Sequence, residues 1–194
     1  MYTLIMIIQL LGILLILAEL VYIEYQPPSR QQSRLLLMIV ALLINFVAYY
    51  LELGAHTKEL AVQAVKMSYV GKAFIPFCML LFVMEYCKVR LPNLVKTMLS
   101  IMHFTVMFLV LTCEYNTLYY TDIRFVDSGL FPHLVKGHGV VYNFYNCIVG
   151  GYLLLMIVVC TYRYLHAKND MERRRILGLN TAGTADAENG TPSH

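Results

Sequence analysis

Five side chains stand out by their positions: Glu52, Lys72, His103, Asn143 and Asn146 lie in or beside long apolar blocks. Ionisable and amide groups are costly at membrane depth, so each is a candidate functional group by default. Glu52, Lys72, Asn143 and Asn146 fall near one level of the blocks, and Asn45 and His103 fall deeper. The functional reading is an outward-facing pocket that senses a ligand, with Glu52 and Lys72 paired on adjacent helices. The competing reading is hydrogen bonding between helices, worth on average only about 0.6 kcal/mol each. His103 would titrate near neutral pH and so could sense protons; a satisfied structural histidine is the plainer role. Glu19, Glu24, Glu85, Lys88, Arg90 and Arg163 form a second set at the opposite level. Interfacial salt bridges and snorkelling account for them, with a relay of helix movement as the alternative.

Catalysis finds no support. The chain has no Gly-rich phosphate loop, no HExxH and no phosphoacceptor box followed by an ATP-binding domain. Acids occur only at the ends of the blocks, where an intramembrane protease would need them inside. The five cysteines contain no CxxC pair, so no zinc site or other cofactor is expected and they read as small buried hydrophobes.

The chain of 194 residues is 59% hydrophobic and 14% charged. A soluble domain is nearer half apolar and a quarter charged. Here the apolar residues come in runs of about 20, the length that crosses a bilayer. The net charge of +3 comes from loop arginines and points to no nucleic-acid partner. Trp is absent and 15 tyrosines cluster near block ends. Tyr49–Tyr50 and Tyr119–Tyr120 therefore read as interfacial belts.

The expected fold is an all-α integral membrane bundle of five transmembrane helices, with a β-hairpin outside the cytoplasm between the fourth and fifth. The helices are placed at about 3–23, 35–53, 68–88, 94–113 and 139–165, within a transmembrane region 1–177. The first block lacks a basic leader and a cleavage site, so it reads as an uncleaved helix. The connection 54–67 is amphipathic and reads as a surface extension of the third helix. That third helix, YVGKAFIPFCMLLFVMEY from Tyr69 to Tyr86, carries Gly71 and Pro76 inside it. Proline costs about 3 kcal/mol or more in a soluble helix interior, but neighbouring helices can satisfy the freed carbonyl in a membrane. A kinked central helix is expected. In 114–138, Asp127-Ser128-Gly129 signals a turn between strand-like segments. Gly150-Gly151 would permit close helix approach. The polar tail 178–194 is expected to be disordered.

Lysine and arginine fix the sidedness. Arg30, Arg34, Lys88, Arg90, Lys96, Arg163, Lys168, Arg173, Arg174 and Arg175 gather on one side, against Lys58, Lys66, Lys72, Arg124 and Lys136 on the other. The heavier side reads as cytoplasmic. The N-terminus and hairpin are then outside, the C-terminus is inside, and the sequon at Asn189 faces the cytoplasm.

Several stretches line up with a known family. They are Tyr50-Leu51-Glu52-Leu53, Tyr69-x-Gly71, Pro76, Phe82-x-x-Glu85-Tyr86, Asn116-x-x-Tyr119 and Tyr142-x-x-Tyr145. In this order and spacing they resemble the N-terminal seven-transmembrane region of bacterial sensor histidine kinases, over roughly residues 5 to 177. The resemblance implies a sensory input region in the bacterial inner membrane, without catalysis of its own, feeding a histidine kinase or a diguanylate cyclase. It implies contact with the lipid bilayer and an unidentified small-molecule or membrane signal, and leaves a homodimer open. The five blocks against the family's seven helices suggest a truncated copy without its output domain. Arg173-Arg174-Arg175-Ile176-Leu177 resembles the lead into a sixth helix. The rival readings are a small transporter component and a regulatory membrane subunit.

Overall fold

The computed structural model describes residues 2–126 and 133–167. The element order is α1 (Tyr2–Glu24), α2 (Arg30–Leu53), α3 (Lys58–Lys72), α4 (Ile75–Tyr86), α5 (Asn93–Leu111), β1 (Tyr120–Val126), β2 (His133–His138) and α6 (Val140–Leu165). Among the described residues, five helical stretches are long and apolar enough to cross a membrane, with Lys58–Tyr86 counted as one 29-residue stretch. The turn signal at 127–129, the basic run 173–175 and the tail 178–194 lie outside the described residues.

Local chemistry explains the helix ends. Gln26-Pro27-Pro28 ends α1. Ser29 then caps α2 in a reciprocal box: its hydroxyl accepts from Gln32 N–H, and the Gln32 side chain accepts from Ser29 N–H. Helix α2 therefore begins five residues earlier than the hydropathy block, which puts Arg30 and Arg34 inside it. Thr57 caps α3 through the Leu60 amide at 3.3 Å.

Helix α3 continues the third apolar stretch toward its N-terminus, as expected of 54–67, with one face exposed and the other packed inside. Ala61, Val62, Ala64, Val65 and Ser68 are buried, and α3 packs more extensively on α2 than on any other helix. Its small side chains permit this close approach, which hydropathy does not register. Gly71 marks the tightest point, where a Cβ would stand 2.1 Å from the Ala41 carbonyl oxygen. Gly150 and Gly151 make no comparable contact, since a Cβ on either would meet nothing within 4 Å.

The long helix breaks between Lys72 and Ile75. Phe74 N–H reaches back only to Gly71 O, at 2.9 Å, and α4 restarts with Pro76 in its first turn. Proline is tolerated there because its missing N–H has no helical partner to lose. Helix α4 closes in a Schellman motif, with Val89 N–H on Met84 O at 2.8 Å and Lys88 N–H on Glu85 O at 3.0 Å.

Strands β1 and β2 pair antiparallel, with Ile123 opposite Lys136 and Phe125 opposite Leu134. Leu134, Tyr119 and Tyr120 join the buried cluster made by α3, α5 and α6. A second cluster joins Leu80 and Met84 of α4 to Tyr152 and Met156 of α6. Helix α1 stands apart from both. It is apolar all round and largely exposed, as a lipid-facing helix would be. It is held to α2 by Gly12 against the Phe46 ring and by the Gln9 amide donating to Phe46 O at 3.0 Å.

Candidate functional site

At the hairpin end, a cavity of about 460 Å³ opens between the start of α3, the end of α5 and β1. Lys58, Glu59, Glu114, Asp122 and Tyr120 are in its wall, with the Cys113 thiol. Burial pushes that thiol up from its usual pKa, which leaves it protonated and unreactive at neutral pH. The Lys66 ammonium meets Glu114 at 2.8 Å beside it.

Tyr120 connects this cavity to the core. Its hydroxyl donates to the Tyr69 hydroxyl at 2.8 Å, and that of Tyr119 does so at 3.2 Å. The three rings meet edge to face, with centroids 5.0–6.2 Å apart, an arrangement worth about 0.5–1.5 kcal/mol per pair beyond burial. Tyr119 and Tyr120 are 1% and 4% exposed. Their reading as an interfacial belt is therefore corrected: they are core residues. Burial raises the pKa of both phenols, so they remain neutral donors through the physiological range. Asn116 holds the approach to them. Its amide nitrogen donates to Leu109 O and Thr112 O at the end of α5, and its oxygen accepts from Leu118 N–H.

The aromatic chain continues inward. Tyr142 stacks on His138 at 4.0 Å and meets Tyr119 at 5.5 Å. Tyr119 also approaches Tyr145 at 6.5 Å. The Tyr145 hydroxyl donates to Ala73 O at 2.9 Å, at the break between α3 and α4. His103 completes the group. It is 0% exposed, lies 5.3 Å from the Phe77 ring, and has Tyr145 Oη 3.4 Å from Nδ1 and Tyr152 Oη 3.2 Å from Nε2. Because the Tyr145 proton is committed to Ala73, its oxygen is free to accept. A neutral imidazole fits with its proton on Nδ1, donating to Tyr145 and accepting from Tyr152 at Nε2. This donor sequence runs from α6 through α5 and back across α6 to the helix break.

A family model described as the N-terminal 7TM region of histidine kinase matches residues 4–185. The chain belongs to that family. It is a sensory input region and a multi-pass membrane protein in contact with the bilayer. Searches of curated proteins and of solved structures find no match to it. In this histidine-kinase 7TM region, Tyr69, Gly71, Asn116, Tyr119, Tyr142 and Tyr145, scattered through the sequence motifs, gather around one path from the hairpin to the break.

The residues read from sequence fall in different places. His103 lies within the path. Glu52 is half-buried, but its partner is Lys136 of β2 at 3.1 Å rather than Lys72. The hairpin packs on α3, and its Lys136 side chain reaches Glu52 at the end of α2. Lys72 sits 5.3 Å over the Tyr69 ring and lies within electrostatic reach of both Glu52 and Lys136. Asn143 and Asn146 are exposed on α6, away from Glu52. None of the five is in the wall of the hairpin-end cavity.

The salt bridges expected for the second set are not formed by most of it: among the described residues, Glu19, Glu24, Glu85, Lys88 and Arg90 form none. Arg163 instead donates to the Cys87 carbonyl at 2.6 Å, tying α6 to the end of α4.

Proposed function

We propose that this region senses a ligand at the hairpin end and passes the signal to the opposite face as a change at the α3–α4 break. The observation that carries the reading is the aromatic path from Tyr120, in the cavity wall, which is hydrogen-bonded to Tyr69 and in ring contact with Tyr119; Tyr119 in turn approaches Tyr145, which is hydrogen-bonded to Ala73 and His103. A ligand shifts such an element only by binding its two arrangements unequally. A ligand that draws on the Tyr120 hydroxyl competes with the Tyr69 contact, so it favours the arrangement in which that contact is broken. The broken helix is the element that moves.

Of the residues read from sequence, Glu52 ties the hairpin to the end of α2 through Lys136, Lys72 tunes the Tyr69 ring, and His103 anchors the break. Asn143 and Asn146 face a further helix, either a later span of the same protein or a second copy. Leaving these amides against lipid would be costly. The excess of arginine and lysine at the other end supports an orientation with the N-terminus and hairpin outside and the C-terminus in the cytoplasm. The output served is a histidine kinase.

The test is a chimera of this chain with the kinase core of a family member, assayed for autophosphorylation in membrane vesicles. The reading expects Tyr120→Phe and Tyr69→Phe to change basal phosphorylation several-fold in the same direction. Unchanged phosphorylation in both variants would overturn it.

A further inference from the structure

At the end opposite the hairpin, an open cleft of about 880 Å³ lies between the start of α2, the end of α4 and the start of α5. Five cations are in its wall: Arg30 and Arg34 from α2, Lys88 and Arg90 from the α4–α5 turn, and Lys96 from α5. Glu85 is the one carboxylate there. Among the described residues, none of these six side chains has an ion-pair or hydrogen-bond partner. Among the described residues, five like charges from three elements meet here against a single carboxylate. The hairpin-end cavity is built differently, with acids and bases mixed.

Two features of the backbone add to this charge. Helix α5 begins at the cleft behind Pro92, with no side-chain cap and no acid in its first turn. Its first amides and the positive end of its dipole are left for an anion. Lys88 stands in the left-handed region at φ 55°, at the position where a Schellman motif usually takes glycine. A side chain there costs strain that glycine would avoid, yet this one carries a cation into the cleft. Beneath the charges the floor is apolar, with Leu81 and Met84.

We propose that this cleft binds a phosphate-bearing anion, seated between the arginines and the start of α5. Arginine matches phosphate oxygens in a two-pronged arrangement. The group can come from a phospholipid headgroup, whose chains would run over the apolar floor, or from a phosphate in solution. Both would link α2 to the α4–α5 turn.

The test uses the full chain on resin in neutral detergent, with two radiolabelled probes measured separately: phosphatidylglycerol and inorganic phosphate. The variants are Arg34→Gln with Arg90→Gln, and Lys96→Gln alone. The control, Lys66→Gln with Arg124→Gln, removes the same charge from the other end as the first variant. Circular dichroism checks that each remains helical. Saturable binding of either probe is expected, weakened about tenfold or more by the double cleft variant and less by Lys96→Gln, and unaltered in the control. Saturation by the lipid alone identifies a headgroup site, and saturation by inorganic phosphate identifies a soluble ligand. The proposal is overturned if neither probe saturates, or if cleft and control variants lose binding equally.

Discussion

The Tyr145 hydroxyl donates to Ala73 O across 2.9 Å, from α6 to the break between α3 and α4. The carbonyl lies at the point where the chain turns before Pro76, and a neighbouring helix supplies its donor. Tyr145→Phe leaves that oxygen without its hydroxyl partner. The expected cost is about 1 kcal/mol, above the average for hydrogen bonds in a membrane because the site is buried. Reversible unfolding in mixed micelles measures it, and a stability equal to wild type would contradict the assignment.

Gly71 and the Gly150–Gly151 pair make opposite predictions. Gly71→Ala drives a Cβ to 2.1 Å from Ala41 O, so α2 and α3 must separate. The expected loss is about 2 kcal/mol or more. Gly150→Ala and Gly151→Ala meet nothing within 4 Å and should gain a few tenths from helix propensity. The same unfolding assay ranks all three.

Glu52 should couple to Lys136 more strongly than to Lys72. A double-mutant cycle of Glu52→Gln with Lys136→Met should return about 1 kcal/mol, at the upper end for such pairs because both side chains are half-buried. The cycle with Lys72→Met should return less. A reversed order would move the hairpin away from α2.

The Cys87 and Cys160 sulfurs lie 3.8 Å apart. In a chain with Cys78→Ala, Cys113→Ala and Cys147→Ala, copper phenanthroline with oxygen should join them as an intramolecular disulfide, removing two protons and two electrons. Mass spectrometry of the digested chain detects it. Burial and the neighbouring sulfur push the Cys87 thiol up to about 11. Its thiolate grows about tenfold per pH unit below that value. The reaction should therefore quicken between pH 7 and 9, and failure to crosslink would mean that α4 and α6 do not pack as described.

Much of the helical framework was legible because each apolar run is long enough to cross a bilayer. The hairpin was legible from a turn signal set between two segments of strand-like composition. The inward packing at the start of α3 was not, because Ala61, Ala64 and Val65 earn burial by close packing rather than by high hydropathy. Tyr119 and Tyr120 were misread for a related reason: a tyrosine near a block end looks the same whether it faces a headgroup or another tyrosine. The Glu52 partner was hidden because Lys136 lies 84 residues away, on a hairpin whose packing on α3 the sequence does not state. The basic residues were legible as an uneven distribution between the two ends, but their convergence on one cleft depends on how α2, α4 and α5 meet.

The most direct measurement is hydrogen–deuterium exchange of the full chain in nanodiscs, comparing wild type with Tyr120→Phe. The central claim is that the hairpin-end tyrosines and the helix break form one unit. Exchange at Ala73–Cys78 should then rise about fivefold or more in the variant, along with exchange in β1. Faster exchange confined to the hairpin, with the break unchanged, would contradict it.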